Sequence, residues 1–365
     1  MPVLFSGLML SFGWLLRGQF GHEIGAMAPG AMAAVAAACL SRNDAWRKSF
    51  AWLVIWSTFG FSLGGGFSFG SLVNSVTMAP SLLSVIPELI QIFIIGAVWG
   101  GLGTGALGVA ASSDHTSLEI KALIAGGLMV WIVNSINSLS GFQAILIVLG
   151  VFIALVLLFG FKDNPIALSM SLIGFMTFGL GFLISVILLF YGDKGYLSGS
   201  WWQISDMIWG GIGGSGILVG VGLAIRKGWK PVPIVWNPIY RIGYIWFAGI
   251  LTAIETNNVY EKWFKSTPPA VDLALAKLSI IIGAIAIIVW FIYFLKVNFS
   301  IFSRNGLGQP LFWTSLFFTW YLAYMAAAKS VLYVGIGHGG WQIFFTAMFI
   351  EAALLTLVYP FYLKK

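Results

Sequence analysis

Nine consecutive residues, Arg17-Gly18-Gln19-Phe20-Gly21-His22-Glu23-Ile24-Gly25, hold three ionisable side chains and three glycines between two apolar runs. Glycine lets backbone approach a ligand closely, while an Arg, a His and a Glu side by side can pair charge and move a proton. The same stretch could instead be an Arg17 to Glu23 pair that closes a hairpin. It is not a zinc-protease signature, because Ala26 stands where the second His would be.

Further polar groups gather at matching places along the chain. Glu or Gln opens six apolar runs, at Glu23, Glu88, Gln143, Gln203, Glu261 and Gln342. Asp206, Glu255 and His338 sit near the same ends, with Asn74, Asn134, Asn137, Asn257 and Asn258 beside them. Several carboxylates meeting in a partly apolar mouth can separate an acid from a base, as glycoside cleavage requires. Glu23, His22, Glu88, Asp206, Glu255 and His338 are therefore the expected catalytic groups. Arg17, Gln19, the five asparagines, Gln143, Gln203, Glu261 and Gln342 are the expected binding groups, with Trp202 and Trp341 offering apolar faces. Each Trp is equally a normal residue of a membrane interface. Three His in all, with His115 in a loop, argue against a metal centre, and one Cys excludes a disulfide or a cysteine-built zinc site. No cofactor is expected.

The elements that must position these groups follow from composition. Of 365 residues, 59% are apolar and 8% charged, which cannot cover a soluble domain with polar surface. Long apolar runs without alternation select helices over a β-barrel, so the fold class is an all-α polytopic membrane protein whose partner is the lipid bilayer. About twelve transmembrane helices are expected, read as hairpins near residues 3–40, 50–112, 120–161, 166–225, 242–296 and 310–363 of a single transmembrane domain, 1–365. One long third helix is expected over 50–76. The excess of 19 Lys+Arg over 12 Asp+Glu collects in alternate loops, which predicts cytoplasmic termini in an inner (plasma) membrane and does not suggest nucleic acid. No basic leader precedes the first run, so that run reads as a retained helix.

Two echoes suggest a repeat. Ser11-Phe12-Gly13-Trp14 matches Thr58-Phe59-Gly60-Phe61 and Thr177-Phe178-Gly179, and Trp99-Gly100-Gly101-Leu102-Gly103 matches Trp209-Gly210-Gly211-Ile212-Gly213. Six repeated hairpins could close into a ring with the odd helices inside. The glycine runs lie within spans and have no preceding strand, so they read as helix packing and not as nucleotide cradles.

Polarity at one set of ends favours an extracytoplasmic-facing membrane enzyme acting on a carbohydrate or lipid-linked glycan. The alternative is a proton- or cation-coupled secondary transporter of a small polar solute, which would need polar groups at mid-membrane depth. Sequence offers only Ser11, Thr58, Thr177 and Thr319 there. It leaves the oligomeric state open.

Overall fold

A computed structural model of the chain describes residues 2–20, 25–66, 69–112, 117–134, 141–196 and 201–229. Every regular element among them is helical: α1 Pro2–Phe20, α2 Met27–Leu40, α3 Asp44–Lys48, α4 Phe50–Gly64, α5 Gly70–Met78, α6 Ile86–Ala110, α7 Ser117–Asn134, α8 Gly141–Val151, α9 Pro165–Tyr191 and α10 Trp201–Arg226. A 3-10 turn at Leu82–Val85 leads into α6, and π-helical stretches at Phe152–Gly160 and Gly192–Tyr196 extend α8 and α9. Four of these segments are long and apolar enough to cross a membrane: Leu82–Ala110, Gly141–Gly160, Pro165–Lys194 and Trp201–Arg226. Lipid offers no partner for a bare backbone, so such helices point to a multi-pass membrane protein. The hairpins expected at 242–296 and 310–363 lie outside the described residues.

Six helices form a closed circuit. α1 packs on α2, α2 on α4, α4 on α6, α6 on α9, α9 on α10, and α10 returns to α1. Helices α7 and α8 stand apart from that circuit, α7 against α4 and the π-helical stretch, α8 against α6. Glycine makes each junction close. A side-chain carbon at Gly30 would sit 2.6 Å from Thr58 Cα, one at Gly100 would sit 2.5 Å from the Gly174 carbonyl oxygen, and one at Gly210 would sit 2.8 Å from the Leu10 carbonyl carbon. These are the α2–α4, α6–α9 and α10–α1 junctions. At the other three, Gly13 meets Pro29, Gly60 meets Leu102 and Gly181 meets Trp209 at 2.7–2.9 Å. Without a hydrophobic drive between helices in lipid, this close backbone contact and the hydroxyls beside it hold the bundle.

Those hydroxyls donate across the junctions. Ser6 Oγ and Ser11 Oγ, on α1, reach the carbonyls of Gly214 and Met207 on α10 at 2.7 and 2.8 Å. Thr104 Oγ1 reaches Met170, and Ser171 Oγ reaches Gly101, joining α6 to α9. At the far end of the same pair, Asn164 caps α9 by accepting from the Ala167 N–H and donates its amide to Glu119 of α7.

Where the bundle departs from expectation, the cause is local. The long third helix is two helices, because Gly64, Gly65 and Gly66 hold a helix poorly. The Gly65 and Gly66 N–H groups fold back on Phe61, Ser62 and Leu63, and α5 restarts at Gly70. α2 begins at Met27, later than an opening at Glu23 would place it. The third Ser/Thr-Phe-Gly copy also slips: Gly13 and Gly60 pack on the next helix of the circuit, whereas Gly179 packs on α6 and Gly181 takes the α10 contact.

Candidate functional site

Inside the circuit the helices meet through aromatic rings. Trp14 of α1 lies 4.6–5.7 Å, centroid to centroid, from Phe61 of α4, Trp99 of α6, Phe178 of α9 and Trp209 of α10. All five are fully buried. Trp99 and Phe178 fall midway along the 25-residue α6 and the 27-residue α9, so the cluster lies at mid-helix depth and not at a mouth. Phe182 stacks on Trp209 at 3.9 Å, and Phe69, just past the break after α4, packs edge-on to both.

One turn beyond Trp14, Arg17 enters this cluster. Its guanidinium lies 5.3 Å from the Phe69 ring centroid, 5.7 Å from that of Trp99 and 5.6 Å from that of Trp209. Rings present a negative face to a cation, an attraction of about 0.5–2 kcal/mol each according to how dry the site is. Arg17 Nη2 also donates to Asp206 Oδ1 of α10 at 2.8 Å, with the two side chains only 6% and 16% exposed. Asp206 lies five residues into α10, about 8 Å along its axis at 1.5 Å per residue. A charged pair at that depth is costly to desolvate, and removing one partner alone costs about 3–5 kcal/mol.

The helix break belongs to the same place. Non-helical backbone at membrane depth is tolerated where protein or a cavity covers it, and transporters use such broken helices at their binding sites. Gly64 brings α4 against Trp99: a side-chain carbon at Gly64 would sit 2.9 Å from Trp99 Cα. Trp99 Nε1 then donates to the Phe61 carbonyl at 2.7 Å. The indole N–H groups of Trp14 and Trp209, and the hydroxyls of Ser57 and Thr58, are buried with no hydrogen-bond partner among the described residues.

Of the residues singled out by sequence, the structure brings together Arg17 and Asp206. Glu88, Gln143 and Gln203 each occupy the third position of their helices, α6, α8 and α10, one or two residues later than expected. A carboxylate in the first turn is favoured there by the helix dipole. Glu88 Oε2 and Gln203 Oε1 are buried without a partner among the described residues, while Gln143, Asn74 and Trp202 are exposed. Gln19 is the next-to-last residue of α1, and Asn134 ends α7. His22, Glu23, Asn137, Glu255, Asn257, Asn258, Glu261, His338, Trp341 and Gln342 lie outside the described residues. So does Thr319.

The mid-helix hydroxyls have structural work. Ser11 bonds to α10 and Thr177 to the Ile173 carbonyl of its own helix; Thr58 is the fully buried one with no described partner. Sequence reasoning took Trp14, Phe61, Trp99 and Trp209 as repeat markers and missed that they share one cluster with Arg17. It also missed Glu119, 4% exposed and bonded to Asn164, and the Lys194 clamp, whose Nζ donates to the Ala79 carbonyl at 2.7 Å over the Phe190 ring. Among the described residues no group of His, Cys, Asp and Glu is placed to hold a metal ion. No protein family, curated protein or solved structure matches the chain.

Proposed function

We propose that the chain is a proton-coupled secondary transporter of a small polar solute, built of about twelve helices in six hairpins across a plasma membrane, with both termini cytoplasmic. The observation that carries the reading is the Arg17–Asp206 pair, buried inside the helix circuit beside the broken α4–α5 helix. Ionisable groups inside a membrane bundle are costly and are retained where they bind or couple ions. A helix that breaks at the same depth gives such a site a part able to move.

The enzyme reading, carboxylate acid/base chemistry on a glycan at the outer mouth, keeps one observation in its favour. Glu88 Oε2 and Gln203 Oε1 are buried at helix starts with no partner among the described residues. Its expected pairing of Asp206 with a second carboxylate is weakened, since Asp206 is engaged by Arg17.

Proteoliposomes holding the full chain and a pH-sensitive dye separate the two. Under an inward proton gradient, a panel of neutral, anionic and cationic sugars and sugar acids should include a solute that acidifies the lumen in wild type and not in Arg17→Gln. Mass spectrometry of the same panel together with lipid-linked sugars reads the competing chemistry. Cleavage or transfer products with no solute-dependent acidification would overturn the transporter.

A further inference from the structure

Resting on the transporter reading, we infer that the solute carries a carboxylate, which takes the place of Asp206 on the Arg17 guanidinium while Asp206 accepts a proton. The step balances. An aqueous proton forms an O–H bond on the Asp206 carboxylate, the Asp206 to Arg17 ion pair breaks, and an ion pair between Arg17 and the solute forms. One proton and one anion enter together, so the net charge of the buried site is unchanged.

That constancy decides between solute classes. Adding or removing a net charge in a low-dielectric interior is the dominant cost, and a swap of one carboxylate for another avoids it. An organic cation would have to displace Arg17 from Asp206 and leave the guanidinium against the rings of Phe69, Trp99 and Trp209 with no acceptor from α10. A neutral solute can hydrogen-bond to either partner but brings no charge to replace the one that protonation removes from Asp206. The cluster also holds donors for an anion: the buried indole N–H groups of Trp14 and Trp209, whose rings lie 4.6 Å apart, have no acceptor among the described residues. A carboxylate accepts at about four lone-pair sites, more than one guanidinium edge fills.

The surroundings of Asp206 add no competing charge among the described residues. α10 packs on α1, α9 and α2. On α1 the charged side chain is Arg17; α2 carries none; α9 itself carries none, with Tyr191 at its end, and the π-helical stretch that extends it carries Asp193 and Lys194, the latter held on the Ala79 carbonyl; Arg226 is at the far end of α10. His22 and Glu23 follow α1 in sequence, outside the described residues.

Asp206→Asn imitates the protonated state and removes the Asp206 charge from the Arg17 guanidinium. In thermal unfolding of the purified full chain, sodium glycerate or gluconate should raise the midpoint of Asp206→Asn more than that of wild type, with affinity about tenfold tighter in the variant, within the usual range of coupling between two ligands. Glucose, glucosamine and sodium chloride should not raise it, and Arg17→Gln should respond to none. If Asp206→Asn does not fold, wild-type affinity for glycerate should rise by a similar factor from neutral to acidic buffer. The inference falls if neither carboxylate stabilises any form, if glucose or chloride does so equally, or if wild-type affinity is flat with pH. Dye-loaded proteoliposomes keep the two claims apart. Acidification driven by glucose or glucosamine but by neither carboxylate overturns this inference and retains the transporter; acidification by none of them overturns both.

Discussion

The α1–α10 and α6–α9 junctions use the same parts to different ends. Each sets a Trp-Gly-Gly-x-Gly helix against a partner through glycine and hydroxyl-to-carbonyl bonds, Ser6 and Ser11 on one, Thr104 and Ser171 on the other. Three residues before the Trp, however, α6 carries Gly96, packed on the Phe178 carbonyl and the Phe182 side chain, whereas α10 carries Asp206 on Arg17. One junction is small and apolar where the other is charged. Close packing and hydroxyl-to-carbonyl bonds thus hold one junction with no charge, and the ion pair at α1–α10 is an added cost.

The comparison can be broken most forcefully at the charged junction. Asp206→Ala leaves Arg17 without the acceptor from α10 and should lower stability by about 3–5 kcal/mol in equilibrium unfolding, while Arg17→Leu/Asp206→Leu together should cost little, since buried pairs exchange for apolar residues at near-neutral cost. At the apolar junction, Gly174→Ala pushes a methyl against Thr104 and the Gly100 carbonyl and should cost about 1–3 kcal/mol, read by the same unfolding. A finer contrast lies between the two matched tryptophans. Trp99→Phe loses its bond to the Phe61 carbonyl, a loss of about 0.6 kcal/mol and at most about 1.7, whereas Trp209→Phe loses no hydrogen bond to a described residue. Trp99→Phe should thus unfold at lower temperature if the ring contacts of the two are comparable. Smallest is Thr177→Val: among the described residues its hydroxyl bonds only within its own helix, so the change should move stability by less than about 0.5 kcal/mol and leave solute uptake unaltered.

Much of this was readable from the chain, for identifiable reasons. Apolar runs set helix positions to within a few residues, because burial of backbone in lipid allows little else. Trp-Gly-Gly-x-Gly was read as packing, and its glycines do meet neighbouring helices: Gly100 and Gly210 meet backbone, and Gly101, Gly103 and Gly213 meet phenyl rings. Arg17 and Asp206 were both singled out as costly charges, yet nothing local could pair residues 189 positions apart, so each was given other partners. The α4 break was written in Gly64-Gly65-Gly66 and overlooked, because apolar residues continue on either side of it. Glu119 escaped notice because it reads as an ordinary loop charge until Asn164 of a distant turn covers it.

The claim that the Arg17–Asp206 pair serves function and not architecture meets its most direct test in Arg17→Leu/Asp206→Leu, assayed for proton-driven uptake in proteoliposomes alongside its thermal unfolding. The account predicts a protein that unfolds within a few degrees of wild type and carries no solute. Wild-type uptake by the double variant would contradict it.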